Sequence, residues 1–280
     1  MSSRMLKKYY ISGIPLITSV FKQIRLKSIL SKYVFSYGNE TIPVVDTLLL
    51  LLCNITLGRQ PLYELEQWVK SIDPKCFGLD KDTLNSLNDD RFARALDKLY
   101  LADRASLITT IVLEMVNAVK LNLSRIHNDS TTIKAYGKIP GKTRNGLELA
   151  RGKSKDHRPD LKQLVFTLSI SADGAIPIHF KTYSGNQTDD TTHIETWKNL
   201  CKITKNPNFI YVADCKVCTS KQLSYIIQNG GRVITVMPKT WKEYHTFTCE
   251  LRLKKKQKRR IWRRIIPGKI DEYESFSVFT

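Results

Sequence analysis

Two aspartates, Asp129 and Asp214, each end a short stretch that is typical of a β-strand. The stretches are 125–129 and the apolar run 209–214. A carboxylate beside apolar residues is costly to bury unless something positive neutralises it. Two such carboxylates brought together form a hard-oxygen site suited to magnesium, as used in two-metal phosphoryl transfer. The spacing alone favours the simpler interpretation, in which each Asp caps a following helix or turn.

A group of basic residues follows Asp129 in the chain. Lys155, Arg158 and Lys162 lie between this aspartate and the next predicted strand. A positive loop at this place could hold a phosphate, and Arg158 could do so through two parallel hydrogen bonds. An equally good interpretation is a solvent-facing loop whose charges pair locally with neighbouring aspartates.

The segment 252–264 is strongly basic and contains no acidic residue. Its candidate contacts to nucleic-acid phosphates are Lys254, Lys255, Lys256, Arg259 and Arg260. Trp262, among these cations, could stack on an unpaired base. A run of this kind is either a solvated insertion or a face that contacts phosphates, and the sequence favours neither interpretation.

His127 and the cysteines have more ordinary interpretations. His127 stands two residues before Asp129, on the same side of a strand, so it could lie near a metal; a core or surface histidine is favoured. Cys215 and Cys218 have the spacing of a redox motif or of half a zinc site. Because no second cysteine pair and no suitable histidine pair accompany them, we expect ordinary reduced thiols.

The chain is strongly basic, with 45 Lys and Arg against 26 Asp and Glu and a net charge of +19 over 280 residues. This excess favours a polyanionic partner, because each cation docked on a phosphate releases condensed counterions. The longest apolar run, near 44–52, is far shorter than the roughly 20 residues that a membrane span needs. The N-terminus lacks a signal-peptide core. We therefore expect a cytoplasmic protein without a membrane partner.

Two kinds of secondary structure must position the candidate residues. From 13 to about 118, apolar residues recur at helical spacing, and Asn88 has N-cap chemistry before an amphipathic segment. After Ser124, strands are predicted at 125–129, 164–171, 175–183, 209–214 and 232–238, with helices at 189–205 and 220–228. This order predicts a mixed sheet flanked by helices, with Asp129 and Asp214 at carboxyl ends of strands, where sites form in such sheets.

Several motifs resemble those of DDE-class insertion-sequence transposases, in the large insertion-sequence-four-like superfamily. In the second half of the chain they are Asn128-Asp129-Ser130-Thr131-Thr132, the segments 154–163, 173–177 and 185–189, and Val212-Ala213-Asp214. In the helical half they are the segments 59–68 and 87–91. The resemblance covers residues 13–245, and its motifs are specific in combination.

The resemblance implies an α+β chain with three parts. These are a helical N-terminal domain at 1–120, a ribonuclease-H-like core with a mixed sheet at 121–240, and a basic insertion segment at 241–280. It implies that Asp129 and Asp214 are the first two catalytic acids and hold Mg²⁺, or Mn²⁺ in its place. The implied partner is DNA, both element ends and target, and the family suggests a homodimer.

The family's third acid is a Glu on a helix after the last core strand, accompanied by Tyr, Arg and Lys, and we find no match for it. The available residues, Glu243, Glu250, Glu272 and Glu274, do not stand in that pattern. The chain ends at Thr280, before the position at which the resemblance implies this helix. The sequence therefore predicts a truncated enzyme. Two alternatives stay open: a catalytically inactive fragment that at most binds DNA, and a ribonuclease-H-like nuclease unrelated to transposition.

Overall fold

The computed structural model of the chain describes residues 9–38, 40–137, 146–152, 160–187, 192–253, 258–265 and 273–279. The α-helices are α1 (Ile14–Gln23), α2 (Leu26–Tyr33), α3 (Val44–Cys53), α4 (Leu65–Lys70), α5 (Lys81–Leu84), α6 (Asp89–Leu101), α7 (Arg104–Val119), α8 (His193–Thr204), α9 (Ser220–Gln228) and α10 (Lys242–Arg252). The strands are β1 (Arg125–Ala135), β2 (Ala150–Arg151), β3 (Lys162–Ser171), β4 (Pro177–Ser184), β5 (Ile210–Ala213), β6 (Arg232–Ile234), β7 (Lys258–Ile265) and β8 (Tyr273–Phe279). Helices followed by a sheet confirm the predicted α+β class.

The chain divides into two compact units. One comprises the described residues of 1–126, 166–182 and 198–206, and the other those of 127–165, 183–197 and 207–280. Asp129 and Asp214 both belong to the second unit. The last helix of the N-terminal series ends at Val119 and the first strand begins at Arg125. The predicted domain boundaries near 120 and 240 stay predictions.

Helix α3 contributes to two apolar clusters of the helical region because it is apolar on more than one side. Val44, Val45 and Leu48 join one buried cluster, which α2 and α7 also line. Leu50 and Leu51 join a second cluster with residues of α4 and α6. A helix that is apolar on several sides is stable only when it is buried on all of them, and α3 is covered by its neighbours.

The start of α6 confirms the predicted N-cap. The Asn88 side-chain oxygen accepts a hydrogen bond from the Arg91 backbone N–H at 2.9 Å, which satisfies a donor that the first helical turn leaves open. Asp89 and Asp90 occupy the first turn, where negative charge favours the helix dipole.

The main sheet has the strand order β2-β3-β1-β5-β6, with β4 also paired to β3. It is mixed, as predicted: β2 and β3 are antiparallel, whereas β5 and β6 are parallel. The predicted hairpin is β3 and β4, and its turn places Gly174 at φ 71°, a conformation that glycine adopts without strain. A second sheet pairs β7 with β8 in antiparallel fashion.

Three element predictions need correction. Strand β1 runs to Ala135 and not to 129, because Ser130 continues the alternation of buried and exposed residues begun by Ile126 and Asn128. Strand β6 ends at Ile234 and not at 238. Helix α10 lies within the segment 241–280, where no helix was predicted. The predicted start of α8, at 189, lies outside the described residues.

Gly185 sits at a close approach of three backbone segments. A Cβ atom at this position would lie 1.9 Å from the Gln163 carbonyl oxygen and 2.5 Å from that of Ala150. The Gly185 N–H donates to the Glu148 carbonyl at 3.0 Å, and its own carbonyl accepts from the Gln163 side chain at 3.1 Å. The packing of the backbone therefore explains why residue 185 is a glycine, since no side chain fits at this position.

Within the described residues, no helix has the length and apolarity needed to cross a membrane.

Candidate functional site

Asp129 lies in the middle of β1 and is exposed. The prediction that it stands at the carboxyl end of its strand is therefore wrong, because the strand continues for six more residues to Ala135. Its neighbours Asn128 and Ser130 are buried on the opposite face of the strand. One carboxylate oxygen, Oδ1, accepts a hydrogen bond from the Ser130 N–H at 2.7 Å.

Asp214 follows β5 directly, as predicted, and is exposed. Its Oδ1 accepts the Lys216 N–H at 3.1 Å, which caps the 3₁₀ turn Cys215–Val217. Its backbone carbonyl accepts the Thr235 hydroxyl at 2.6 Å. The turn-capping interpretation therefore holds for Asp214, and capping with one oxygen leaves the other carboxylate oxygen for a different contact.

Asp129 lies on β1 and Asp214 directly follows β5, and these two strands are adjacent in the sheet. The two exposed carboxylates supply the hard, anionic oxygen atoms that Mg²⁺ and Mn²⁺ prefer. The chemistry of this donor pair therefore fits a divalent ion. Among the residues that the structure describes, no group of three or more His, Cys, Asp or Glu is close enough together to hold a metal.

A buried polar cluster that sequence reasoning missed lies beside Asp214. His193, the first residue of α8, is 4% exposed, and Tyr211, on β5, is 0% exposed. His193 Nδ1 lies 3.0 Å from the Tyr211 hydroxyl oxygen, and His193 Nε2 lies 4.0 Å from Asp214 Oδ1. Burial raises the pKa of Tyr211 well above its ordinary value, with smaller contributions from Tyr183 and Asp214. Tyr211 is therefore a neutral phenol.

The cluster extends to the exposed residue Glu195. The Tyr183 hydroxyl donates to the Glu195 carboxylate at 3.2 Å. The sequence held one signal for this cluster. His193, Thr196, Trp197 and Leu200 form an i, i+3, i+4, i+7 stripe in which two of the four residues are polar, and all four are buried. Polar residues on the buried face of a helix point to a hydrogen-bonding requirement inside the fold.

The structure places the predicted basic contacts unevenly. Lys162 is the first residue of β3 and is exposed. Lys155, Arg158, Lys254, Lys255 and Lys256 lie outside the described residues. Arg259 and Arg260 belong to β7, where their backbones pair with Val278 and Ser277 of β8. These contacts to DNA therefore stay predictions.

His127 and the two spaced cysteines lie near the aspartates in sequence. His127 is exposed on β1. Cys215 is exposed and Cys218 is buried, and both are free thiols. Burial, with a smaller contribution from Cys215, raises the pKa of the Cys218 thiol, which disfavours the reactive thiolate.

Comparison with known proteins gave one family match, for the helical region. Residues 6–113 match the family described as a domain of unknown function, DUF4277. No curated protein matched the chain by sequence.

The solved structures to which the chain is similar include transposases. In a piggyBac transposase synaptic complex with hairpin DNA, the TM-score is 0.41 at 13% identity over 86% of this chain and 54% of that chain. In a pre-cleavage Mos1 transpososome the TM-score is 0.28 at 8% identity over 73% and 65%. In a Mos1 mariner paired end complex with Mn it is 0.27 at 13% identity over 86% and 82%. This chain thus spans about half the length of the piggyBac transposase chain.

Proposed function

We propose that this chain is the core of an insertion-sequence DNA transposase of the insertion-sequence-four-like superfamily, with a ribonuclease-H-like catalytic fold. It cuts element ends and joins them to target DNA by metal-dependent phosphoryl transfer. The observation that carries the proposal is the position of Asp129 and Asp214. These are the two carboxylates that the resemblance identifies as catalytic; both are exposed, Asp129 on β1 and Asp214 directly after the adjacent strand β5 of a mixed sheet.

In this proposal Asp129 and Asp214 hold a divalent ion, Mg²⁺ or Mn²⁺. When bound, such an ion lowers the pKa of an attacking water or 3′-hydroxyl and stabilises the leaving oxygen. Asp214 supports the assignment because the described contacts of its carboxylate, with Lys216 and His193, both involve Oδ1. Its Oδ2 therefore stays available for a ligand.

DNA is the proposed partner, both as element ends and as target, and the family suggests that a homodimer acts on paired ends. The net charge of +19 supports a phosphate-driven interaction. The proposed contacts are Lys155, Arg158, Lys162, Lys254, Lys255, Lys256, Arg259 and Arg260.

The test of the metal assignment is cleavage of duplex DNA in Mn²⁺ by Asp129→Asn and Asp214→Asn variants. Each substitution keeps the side-chain shape but removes the negative charge, so we expect cleavage to fall by at least about a hundredfold. DNA binding, measured by fluorescence anisotropy, stays largely intact. Full cleavage by either variant contradicts the assignment. An Asp173→Asn variant, changed in the hairpin turn, serves as the control and keeps wild-type cleavage.

Salt dependence tests the DNA interaction separately. If about six to ten phosphates are contacted, DNA affinity falls by a factor of roughly 10³–10⁵ between about 50 mM and 200 mM salt. The reason is that the release of condensed counterions is less favourable when the salt concentration in solution is higher. The same anisotropy measurement at several salt concentrations gives the slope. A flat response refutes a phosphate-driven interaction.

One observation favours a second candidate, a catalytically inactive remnant that only binds DNA. The described residues contain no three-membered group of potential metal ligands, whereas the family uses three acids. Cleavage and Mn²⁺ binding separate the candidates, because the remnant binds DNA with the same salt dependence but does neither. A Glu in a Tyr, Arg and Lys helical pattern, read from the coding DNA beyond Thr280, would favour an interrupted enzyme.

A further inference from the structure

The buried pair His193 and Tyr211 needs an explanation beyond packing. Burying an imidazole and a phenol costs free energy unless their polar atoms find partners. Both are almost completely buried, and their rings meet edge to face at 6.1 Å between centroids. A second aromatic contact, Trp197 of α8 with Phe209 directly before β5, already packs the helix with apolar rings. Two polar rings are therefore not required for helix packing alone.

The order of the contacts defines a chain of hydrogen-bonding groups. Tyr211 is a neutral phenol, and its hydroxyl lies 3.0 Å from His193 Nδ1. If the hydroxyl donates to Nδ1, the remaining ring nitrogen, Nε2, carries the proton and faces Asp214. Nε2 lies 4.0 Å from Asp214 Oδ1, a distance at which an N–H attracts the carboxylate and which can shorten when a ligand is bound.

The two described contacts of the Asp214 carboxylate both involve the same oxygen. The Lys216 N–H donates to Oδ1 at 3.1 Å, and His193 approaches Oδ1 from the buried side. No hydrogen bond to Oδ2 occurs among the described residues. The Lys216 hydrogen bond and the attraction of a His193 N–H, which at 4.0 Å lies beyond hydrogen-bond length, both act on Oδ1 and limit the rotation of the carboxylate.

We propose that His193 is a positioning residue that holds Oδ1 of Asp214 and thereby presents Oδ2 to a divalent metal ion, with Tyr211 fixing the orientation and tautomer of the His193 ring. This inference rests on the proposed function, because it assumes that Asp214 is a metal ligand. Outer partners of metal-binding side chains usually contribute to affinity by limiting the orientations of the ligand. His193 does so here through the carboxylate, without touching the ion.

The experiment is a titration of the whole chain with Mn²⁺ in the absence of DNA, followed by electron paramagnetic resonance of the free ion. His193→Phe keeps the ring and its edge-to-face contact but removes both nitrogens, so we expect the Kd for Mn²⁺ to rise about tenfold. His193→Gln places an amide N–H where Nε2 stands, so it recovers most of the wild-type affinity. Tyr211→Phe, which removes the donor to Nδ1, gives a smaller rise in the same direction.

Thr196→Val is the matched control, since Thr196 is buried on the same stripe of α8, 0% exposed. It leaves the Kd for Mn²⁺ unchanged. Thermal unfolding of each variant verifies the fold, and if His193→Phe does not fold, Tyr211→Phe decides the question alone. A wild-type Kd in the folded variants overturns the proposal. So does a failure of His193→Gln to recover affinity, because the effect then belongs to packing.

An Asp214→Asn variant separates this proposal from the proposed function. If Asp214→Asn weakens Mn²⁺ binding and His193→Phe does not, the metal site stands and the positioning role falls. If the wild-type chain binds no Mn²⁺, or if Asp214→Asn binds it as well as the wild type, the metal site falls and the positioning role falls with it.

Discussion

The helical region and the sheet region bury different kinds of side chain. Between Ile14 and Val112 the described buried residues are almost all apolar, and the polar exceptions are Thr47 and Asn54. From β1 onward, buried polar residues are frequent: Asn128, Ser130, Gln163, Thr167, Ser169, Ser171, Thr192, His193, Thr196 and Gln222. The helical region is thus held together by apolar contact, whereas the sheet region also depends on internal hydrogen bonds.

This difference indicates where the chain has requirements beyond folding. Buried polar groups are kept only when their hydrogen bonds are satisfied or when a function needs them. In the sheet region the best-defined group of this kind, His193 and Tyr211, lies next to Asp214. In the helical region the ion pair of Glu40 and Lys98 is partly buried, with side chains 17% and 21% exposed, and it includes no candidate catalytic residue.

The largest effect on stability is expected in the apolar core of the helical region. Phe92, on α6, is 0% exposed and packs among leucines of α3, α4 and the segment before α6. Phe92→Ala removes most of these contacts and leaves a cavity, so the free energy of unfolding falls by about 3–5 kcal/mol. Urea unfolding followed by circular dichroism measures the change.

Leu101 provides the control, since it is on the same helix but 80% exposed. Leu101→Ala leaves the free energy of unfolding within about 0.5 kcal/mol of the wild type. Equal losses in the two variants would contradict the view that buried apolar area stabilises this region.

A smaller loss, from steric overlap, is expected in the sheet region. Gly185→Ala places a methyl group 1.9 Å from the Gln163 carbonyl oxygen, so the backbone at residue 185 has to move away from β3. The free energy of unfolding falls by about 3 kcal/mol. Gly38→Ala is the comparison, because no atom lies within 4 Å of its Cβ and only its φ of 81° opposes the change. It costs about 1 kcal/mol, and a similar cost at Gly185 would sink the steric explanation.

The smallest of these effects concerns the partly buried ion pair of Glu40 and Lys98 in the helical region. Glu40 accepts from Lys98 Nζ at 2.6 Å and from the Tyr37 N–H at 3.1 Å, and also from the Ser36 hydroxyl. The Lys98 and Ser36 hydrogen bonds lower the pKa of Glu40 from 4.5 to about 2. Glu40→Gln therefore lowers the free energy of unfolding by about 2 kcal/mol at neutral pH.

The effect of Glu40→Gln on the free energy of unfolding is expected to depend on pH. A carboxylate whose pKa is lowered on folding stabilises the protein fully above its ordinary pKa of 4.5 and loses this contribution as the pH falls to about 2. The difference between wild type and Glu40→Gln thus shrinks over that interval in urea unfolding. Glu66→Gln, which breaks the exposed pair with Lys70, shows little effect at any pH. A difference for Glu40→Gln that persists at pH 2 would show that hydrogen-bonded shape, and not charge, matters.

Much of the architecture could be predicted because it follows from local pattern. The N-cap at Asn88, the hairpin of β3 and β4, helix α9 and the strand before Asp214 all follow from residues close together in sequence. The extent of β1 was underestimated because Asn128 and Ser130 are polar, and polar residues inside a strand resemble the end of one. They are buried only because neighbouring strands cover that face.

The candidate site could be predicted only in part. Asp129 and Asp214 were identified from their types and from the motifs around them, and the structure puts their strands side by side. Their assignment as catalytic residues stays a prediction. His193 and Tyr211 are 18 residues apart in sequence, and no sequence motif contains both of them. Their pairing could therefore not be predicted from the sequence alone.

The sequence by itself determined the basic charge, the change from helical to strand pattern near residue 120, and the two aspartates, because each depends on residue type or short-range spacing. The tertiary structure alone decided that Asp129 lies within a strand, that Gly185 touches two other backbone segments, and that His193 lies between Tyr211 and Asp214. These features depend on which distant segments pack together. That packing is determined by the burial of whole helix and sheet faces, and no single short stretch of sequence specifies it.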